Sequence, residues 1–105
     1  MQNELNAYIA KIKADYLDWK GELTMPHHQQ MVDEFNKSIR IEEGKKFVKI
    51  VTNGSVHSFI VKEDMPKFKK GTILKAASWA APAKNYGRGN ILDGNYDVRW
   101  TGVAV

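Results

Sequence analysis

Two adjacent residues, Asn53-Gly54, constrain this chain more than any others. They separate Lys46 to Thr52 (KFVKIVT) from Ser55 to Lys62 (SVHSFIVK), two runs rich in β-branched and aromatic side chains. Both residues tolerate positive φ, which a tight two-residue hairpin demands, so the runs are predicted to pair antiparallel across that turn. Direct pairing sets Val51 opposite Val56, Ile50 opposite His57 and Val48 opposite Phe59. Ile50, Val48, His57 and Phe59 then share one face, with Phe47, Lys49, Val51, Val56, Ser58 and Ile60 on the other. Apolar residues on both faces call for two covers, a helix on one side and a loop or partner on the other. His57 amid such neighbours reads as a hydrogen-bonded structural histidine.

The helix is legible upstream. Leu5, Tyr8, Ile9, Ile12, Tyr16, Trp19 and Leu23 recur at steps of three and four, an amphipathic stripe predicting a helix over about residues 4 to 20. Asn3 is a suitable cap and Gly21 a suitable stop. The aromatics Tyr8, Tyr16 and Trp19 are expected to pack in a core or interface. A second, shorter helix is expected after Pro26, carried by Met31, Val32, Phe35 and Ile39. Glu42-Glu43-Gly44-Lys45 reads as a turn, Thr72 to Lys75 as a short third strand, and the alternation Tyr96, Val98, Trp100 as a fourth. The fold class expected is α+β in one domain over 1–105: residues 1–40 mainly helical, 45–105 mainly strands and loops, the helices packed on a twisted antiparallel sheet of about four strands. At 105 residues, there is chain for one domain and too little for two that each bury a core.

Charge is segregated along the chain. Residues 1–44 hold five Lys or Arg against eight Asp or Glu, a balance of −3, whereas residues 45–105 hold eleven against four, a balance of +7. From Pro66 to Leu92 the cations Lys67, Lys69, Lys70, Lys75, Lys84 and Arg88 have no carboxylate among them. A field of one sign draws polyanions or acidic protein surfaces. The same stretch carries Trp79, Pro82, Tyr86 and two glycines flanking Arg88, in a segment (75–92) without helix or strand periodicity. Phosphate binding uses backbone N–H groups, glycines and cations together, and base stacking uses exposed aromatic rings. The composition fits both, although it matches neither the phosphate-loop nor the dinucleotide fingerprint. Trp79 reads first as a core plug, with a stacking surface as the alternative, whereas Arg88, between glycines with no acid nearby, reads first as a binding residue.

The pattern Ser55-Val-His57-Ser-Phe59, followed by Lys75-Ala-Ala-Ser-Trp79-x-Ala-Pro82-Ala-Lys84 and Arg88-Gly-Asn90, resembles a family of small proteins encoded by tailed bacteriophages. The preceding Glu43-Gly44-Lys45-Lys46-Phe47-Val48-Lys49-Ile50-Val51 resembles it too, so the likeness spans about residues 43–92. It implies a phage protein at work in the cytoplasm of an infected bacterial host, and it brings no activity with it. The chain departs from the family pattern in its longer, lysine-rich link from Glu63 to Gly71.

Catalysis is not expected. Cysteine is absent, which removes thiolate nucleophiles and cysteine-held metals. Ser58 and Ser78 lie in no G-x-S-x-G context, and Glu63-Asp64 falls in a solvated turn. His27 and His28 are neighbours that point to different sides of a helix and make a poor metal pair. No cofactor and no metal are expected. No run approaches the roughly 18 apolar residues of a membrane span, and Gln2, Asn3 and Glu4 after Met1 do not read as a signal peptide. Two functions remain open. One is a nucleic-acid module, for DNA or RNA, contacting its ligand through Lys67, Lys69, Lys70, Lys75, Trp79, Lys84, Tyr86 and Arg88. The other is an adaptor or inhibitor docking on an acidic host protein, with self-association also compatible with the apolar hairpin.

Overall fold

The computed structural model describes residues 1–20 and 26–103. Its first element is α1 (Gln2–Lys20), whose stripe buries Leu5, Tyr8, Ile12 and Tyr16. The helix starts ahead of the expected boundary. The Leu5 N–H donates to the Met1 carbonyl, so Asn3 lies inside the first turn instead of capping it. Trp19 is largely exposed, although its ring packs on Tyr16 and Trp100. Gly21 and Leu23, the expected stop and the last apolar step, lie outside the described residues. The second helix, α2 (Pro26–Ser38), buries Val32 and Phe35. Its Ser38 hydroxyl donates to the Phe35 carbonyl and accepts the Asn53 N–H, joining the end of α2 to the hairpin turn.

Four strands form the main antiparallel sheet in the order β1 (Arg40–Glu43), β2 (Phe47–Thr52), β3 (Ser55–Val61) and β4 (Ile73–Leu74). Asn53 and Gly54 take φ of 51° and 80°, the two positive values the turn was expected to require. Two small ribbons follow: β5 (Gly89–Asn90) with β6 (Asn95–Tyr96), and β7 (Val98–Arg99) with β8 (Gly102–Val103). The chain is therefore an α+β protein, as its patterning predicts.

Three local expectations are corrected. Arg40 to Glu43 is a strand paired with β2, and the turn after it is confined to Gly44 and its neighbours, where the Gly44 N–H donates to the Phe47 carbonyl. The alternation from Tyr96 to Trp100 breaks at Asp97, leaving two short strands in different ribbons. The third correction concerns register. Val51 does pair with Val56, but Ile50 then pairs with Ser58, Lys49 with Phe59 and Val48 with Ile60. One extra residue, His57, bulges from β3. A bulge reverses the inside-out alternation beyond it. Val48, Ile50, Ser58 and Ile60 consequently face the helices, while Phe47, Lys49, Phe59 and Val61 face away.

The bulge gives the core a polar axis. His57 and Ser58 are adjacent yet both reach the helix layer: the His57 ring lies edge-on to Tyr8 at 6.0 Å, and Ser58 Oγ is 2.7 Å from the Tyr8 hydroxyl. His57 Nδ1 is 2.9 Å from Ser58 Oγ, and Nε2 is 2.7 Å from the Arg99 carbonyl. That carbonyl can only accept, so Nε2 carries the proton and donates. In the neutral ring Nδ1 then accepts from Ser58, whose oxygen accepts from the Tyr8 hydroxyl. One directed chain thus links α1, β3 and β7 with each buried donor satisfied. Such satisfaction matters because leaving one buried polar group unpaired costs about 1–3 kcal/mol.

Burial also holds the His57 imidazole below its ordinary value of 6.5, because a cation there would be poorly solvated; the hydrogen bond to Arg99 opposes this more weakly. The folded protein therefore resists a proton that the unfolded chain accepts. Stability is full above 6.5 and is lost as pH falls from there toward the lower folded value. Urea unfolding followed across this window is expected to show that decline, and His57→Gln should remove its part of the slope while lowering stability at every pH. A wild-type stability that stays flat below 6.5 contradicts the assignment.

Candidate functional site

The sheet face turned away from the helices is built from Phe47 and Lys49 on β2, Phe59 and Val61 on β3, and Leu74 on β4. Phe59, Val61, Leu74 and Phe68 form a second small core, with Met65 brought in by the 63–71 link and Ala76 by the segment after β4. The loop cover expected for this face is thus supplied by the chain itself.

Residues 75–83 form a narrow hairpin-like excursion. Ala76 bridges to Pro82, the Ala83 N–H donates to the Lys75 carbonyl, and the N–H groups of Ala77 and Ser78 both donate to the Ala81 carbonyl. Trp79 sits at its tip, 49 % exposed. The indole is no core plug. It packs beside the sheet with Lys49 Nζ 4.5 Å from its ring centre, a cation–π arrangement. Lys49 also reaches Glu42 Oε1 at 3.9 Å.

The expected site residues fall into separate groups. Lys67 and Lys84 are brought together: Lys67 Nζ donates to the Lys84 carbonyl at 2.6 Å, and Lys84 Nζ lies 5.5 Å from the Phe47 ring centre. Tyr86 and Arg88 form a second unit, the guanidinium carbon 4.2 Å from the centre of a ring that is 46 % exposed. Arg88 Nε and Nη1 are buried and meet no acceptor among the described residues. Lys69 and Lys70 lie on a turn whose carbonyls accept from Thr72 and from the Asn90 amide, and no contact joins them to Lys67 or Lys84. Lys75 is exposed, and its ammonium makes no contact with the others. Among the described residues, none of these six cations forms an ion pair with a carboxylate.

Sequence reasoning missed Lys49. The signal was present, since a lysine inside the apolar run FVKIVT marks the face not covered by helices, but the unbulged register placed it on the wrong side relative to Phe59. It also gave Gly87 and Gly89 a role in phosphate cradling that the backbone does not offer. The Arg88 N–H donates to the Ile73 carbonyl and the Ile91 N–H to the Gly71 carbonyl, so these donors are already engaged. The glycines serve packing: a Cβ on Gly87 would lie 2.7 Å from Thr72 Cγ2, and one on Gly89, at φ +116°, would lie 2.6 Å from the Asn95 carbonyl oxygen.

A catalytic reading of the Ser58–His57 contact fails on access. Ser58 is fully buried and His57 nearly so. No group of three or more His, Asp or Glu among the described residues is placed to hold a metal ion, and no helix is long and apolar enough to cross a membrane.

Fold and surface together define a two-layer α+β protein whose outer sheet face is crossed by a lysine-rich, aromatic stretch of its own chain. The model of a family of unknown function (DUF7717) matches residues 1–102, and the chain belongs to that family. The match takes in both helices as well as the segment singled out from its motif. No curated protein and no solved structure matches the chain.

The glycine geometry yields a direct check. Gly89→Ala meets both an unfavourable φ and a backbone clash, and is expected to lower stability by about 2 kcal/mol or more. Gly54→Ala, with open space around its Cβ, should lose about 1 kcal/mol from the positive φ. Thermal or urea unfolding of the two variants, side by side, reads the difference.

Proposed function

We propose that the protein is a non-catalytic nucleic-acid-binding module that uses the basic 67–88 surface, the stretch of chain laid over the outer sheet face and the β4 edge, acting as a small phage protein inside an infected bacterial host. One observation carries this reading: Trp79 and Tyr86 are half exposed, each lies against a cation, Lys49 (itself paired with Glu42) or Arg88, and among the described residues the cations of 67–88 have no carboxylate partners. Stacking surfaces beside unneutralised charge are what single-stranded nucleic acid requires: phosphates meet the cations while bases lie on the rings. A face serving solubility alone mixes both signs of charge. The bacteriophage setting is supported by the motif from Lys75 to Asn90.

In this reading Lys84 and Lys67 take phosphates, Arg88 stacks on Tyr86 and holds that ring at the surface for a base, and Trp79 receives a base on its open side. Lys69, Lys70 and Lys75 add long-range attraction without touching the ligand in a fixed geometry.

Fluorescence anisotropy with a labelled single-stranded oligonucleotide tests the proposal. Binding should weaken steeply with salt, and Lys84→Ala should reduce the slope of log K against log salt by about 0.7 for the single phosphate contact removed. Trp79→Ala should weaken binding by roughly tenfold at fixed salt, from the loss of one base stack. Absence of binding to any DNA or RNA at low salt removes the reading. Recovery from bacterial lysate of one stoichiometric acidic protein, insensitive to nuclease, transfers the surface to the docking alternative.

A further inference from the structure

The two edges of the main sheet are treated differently. The β4 edge is covered from within the chain: Thr72 bridges to Asn90, the Arg88 N–H donates to the Ile73 carbonyl, and Ala83 pairs with Lys75. The β1 edge is open. Among the described residues, no backbone or side-chain group outside β2 hydrogen-bonds to the main chain of residues 40–43. An open edge is a template for another strand, and β1 ends the sheet with Arg40, Ile41, Glu42 and Glu43.

The sequence of that edge restricts what it accepts. When a strand pairs antiparallel with its own copy about a two-fold axis, partners must point to the same face and turn their hydrogen-bonding groups the same way. Pairing is therefore confined to residues an even number of positions apart, and each register has one residue opposite itself at the axis. Centring on residue 40 sets Arg40 against Arg40. Centring on 42 or 43 sets a glutamate against itself. Centring on Ile41 sets Ile41 against Ile41 and places Arg40 opposite Glu42 on both sides of the axis. One register out of four is free of like-charge opposition.

The side chains are disposed for that register. Ile41 is 40 % exposed despite lying on the helix-facing side of the sheet opposite Ile50, so part of its apolar surface is left uncovered by the described residues. Arg40 and Glu42 share the outer face and already approach one another at 3.2 Å. A guanidinium has donors for its own glutamate and for that of a second copy.

From this we infer that β1 pairs with β1 of a second copy of this chain, centred on Ile41, to form a continuous eight-strand sheet. The axis runs perpendicular to the sheet, so both outer faces look the same way and the two Trp79 hairpins stand on one surface. Three residues per copy, Arg40, Ile41 and Glu42, pair within the strands and make a small contact, and the dimer is weak and concentration-dependent. The inference stands independently of what that surface binds.

Analytical ultracentrifugation over a wide concentration range tests it through charge exchange. The wild-type chain should move toward dimer as concentration rises. R40E places two carboxylates opposite Glu42 residues, E42R places two guanidinium groups opposite Arg40 residues, and each is expected to weaken dimerisation by about tenfold or more, since both symmetric pairs turn repulsive. An equimolar mixture of R40E and E42R restores both complementary pairs and should dimerise at least as well as wild type, as should the double variant R40E/E42R. Circular dichroism establishes that each single variant is folded. A wild-type chain monomeric throughout, single variants that dimerise unchanged, or a mixture that stays monomeric would each overturn the inference.

Discussion

The hydrogen-bonded chain through Tyr8, Ser58, His57 and the Arg99 carbonyl is the contact on which the layers of this protein depend. It crosses from α1 through the centre of the sheet to the C-terminal ribbons, joining residues as many as 50 positions apart. Apolar packing around it supplies most of the stabilisation, but packing is indifferent to a slip of one residue. A buried chain of donors and acceptors is not, because any other register leaves at least one of these groups unpaired away from water. The bulge at His57 and this polar axis imply one another. Two consecutive residues can face the same layer only where β3 carries the extra residue.

The bulge has consequences on the opposite face. By reversing alternation beyond His57 it sends Ile60 inward, into the helix-side core, and Phe59 outward, into the small core with Phe68 of the 63–71 link. The outer face thereby gains an apolar floor large enough to seat Phe68 and Met65, and the segment after β4 folds across it. Trp79 and Lys49 meet because of this, as do Lys84 and Phe47. The candidate binding surface is thus a product of the same irregularity that organises the core. A sheet paired without a bulge would leave Lys49 beside different neighbours.

Close backbone packing completes the arrangement. Gly71, Gly87 and Gly89 each lie where a Cβ would meet another part of the chain at under 3 Å. They let the 85–92 strip lie against the β4 edge and close it. Among the described residues the opposite edge has no such strip, and one edge of the sheet is covered while the other is charged and open.

Much was legible in the chain itself. The 3.6-residue stripe of Leu5, Tyr8, Ile12 and Tyr16 determined a helix, and the β-branched runs about Asn53-Gly54 determined a hairpin with its turn geometry, because both are local properties of consecutive residues. Charge segregation and the concentration of cations after Pro66 were also plain. The tertiary structure decided the rest. Whether His57 adds a residue to β3 depends on Tyr8 and on the carbonyl of Arg99, 42 positions away. Whether Trp79 is buried depends on how a loop crosses a sheet whose register that bulge sets. Whether Glu42 and Glu43 belong to a turn or to a strand depends on a neighbour, β2, that they meet only through pairing across the sheet. Local patterning specifies which element forms; partners distant in sequence specify its register, its edges and the company its side chains keep.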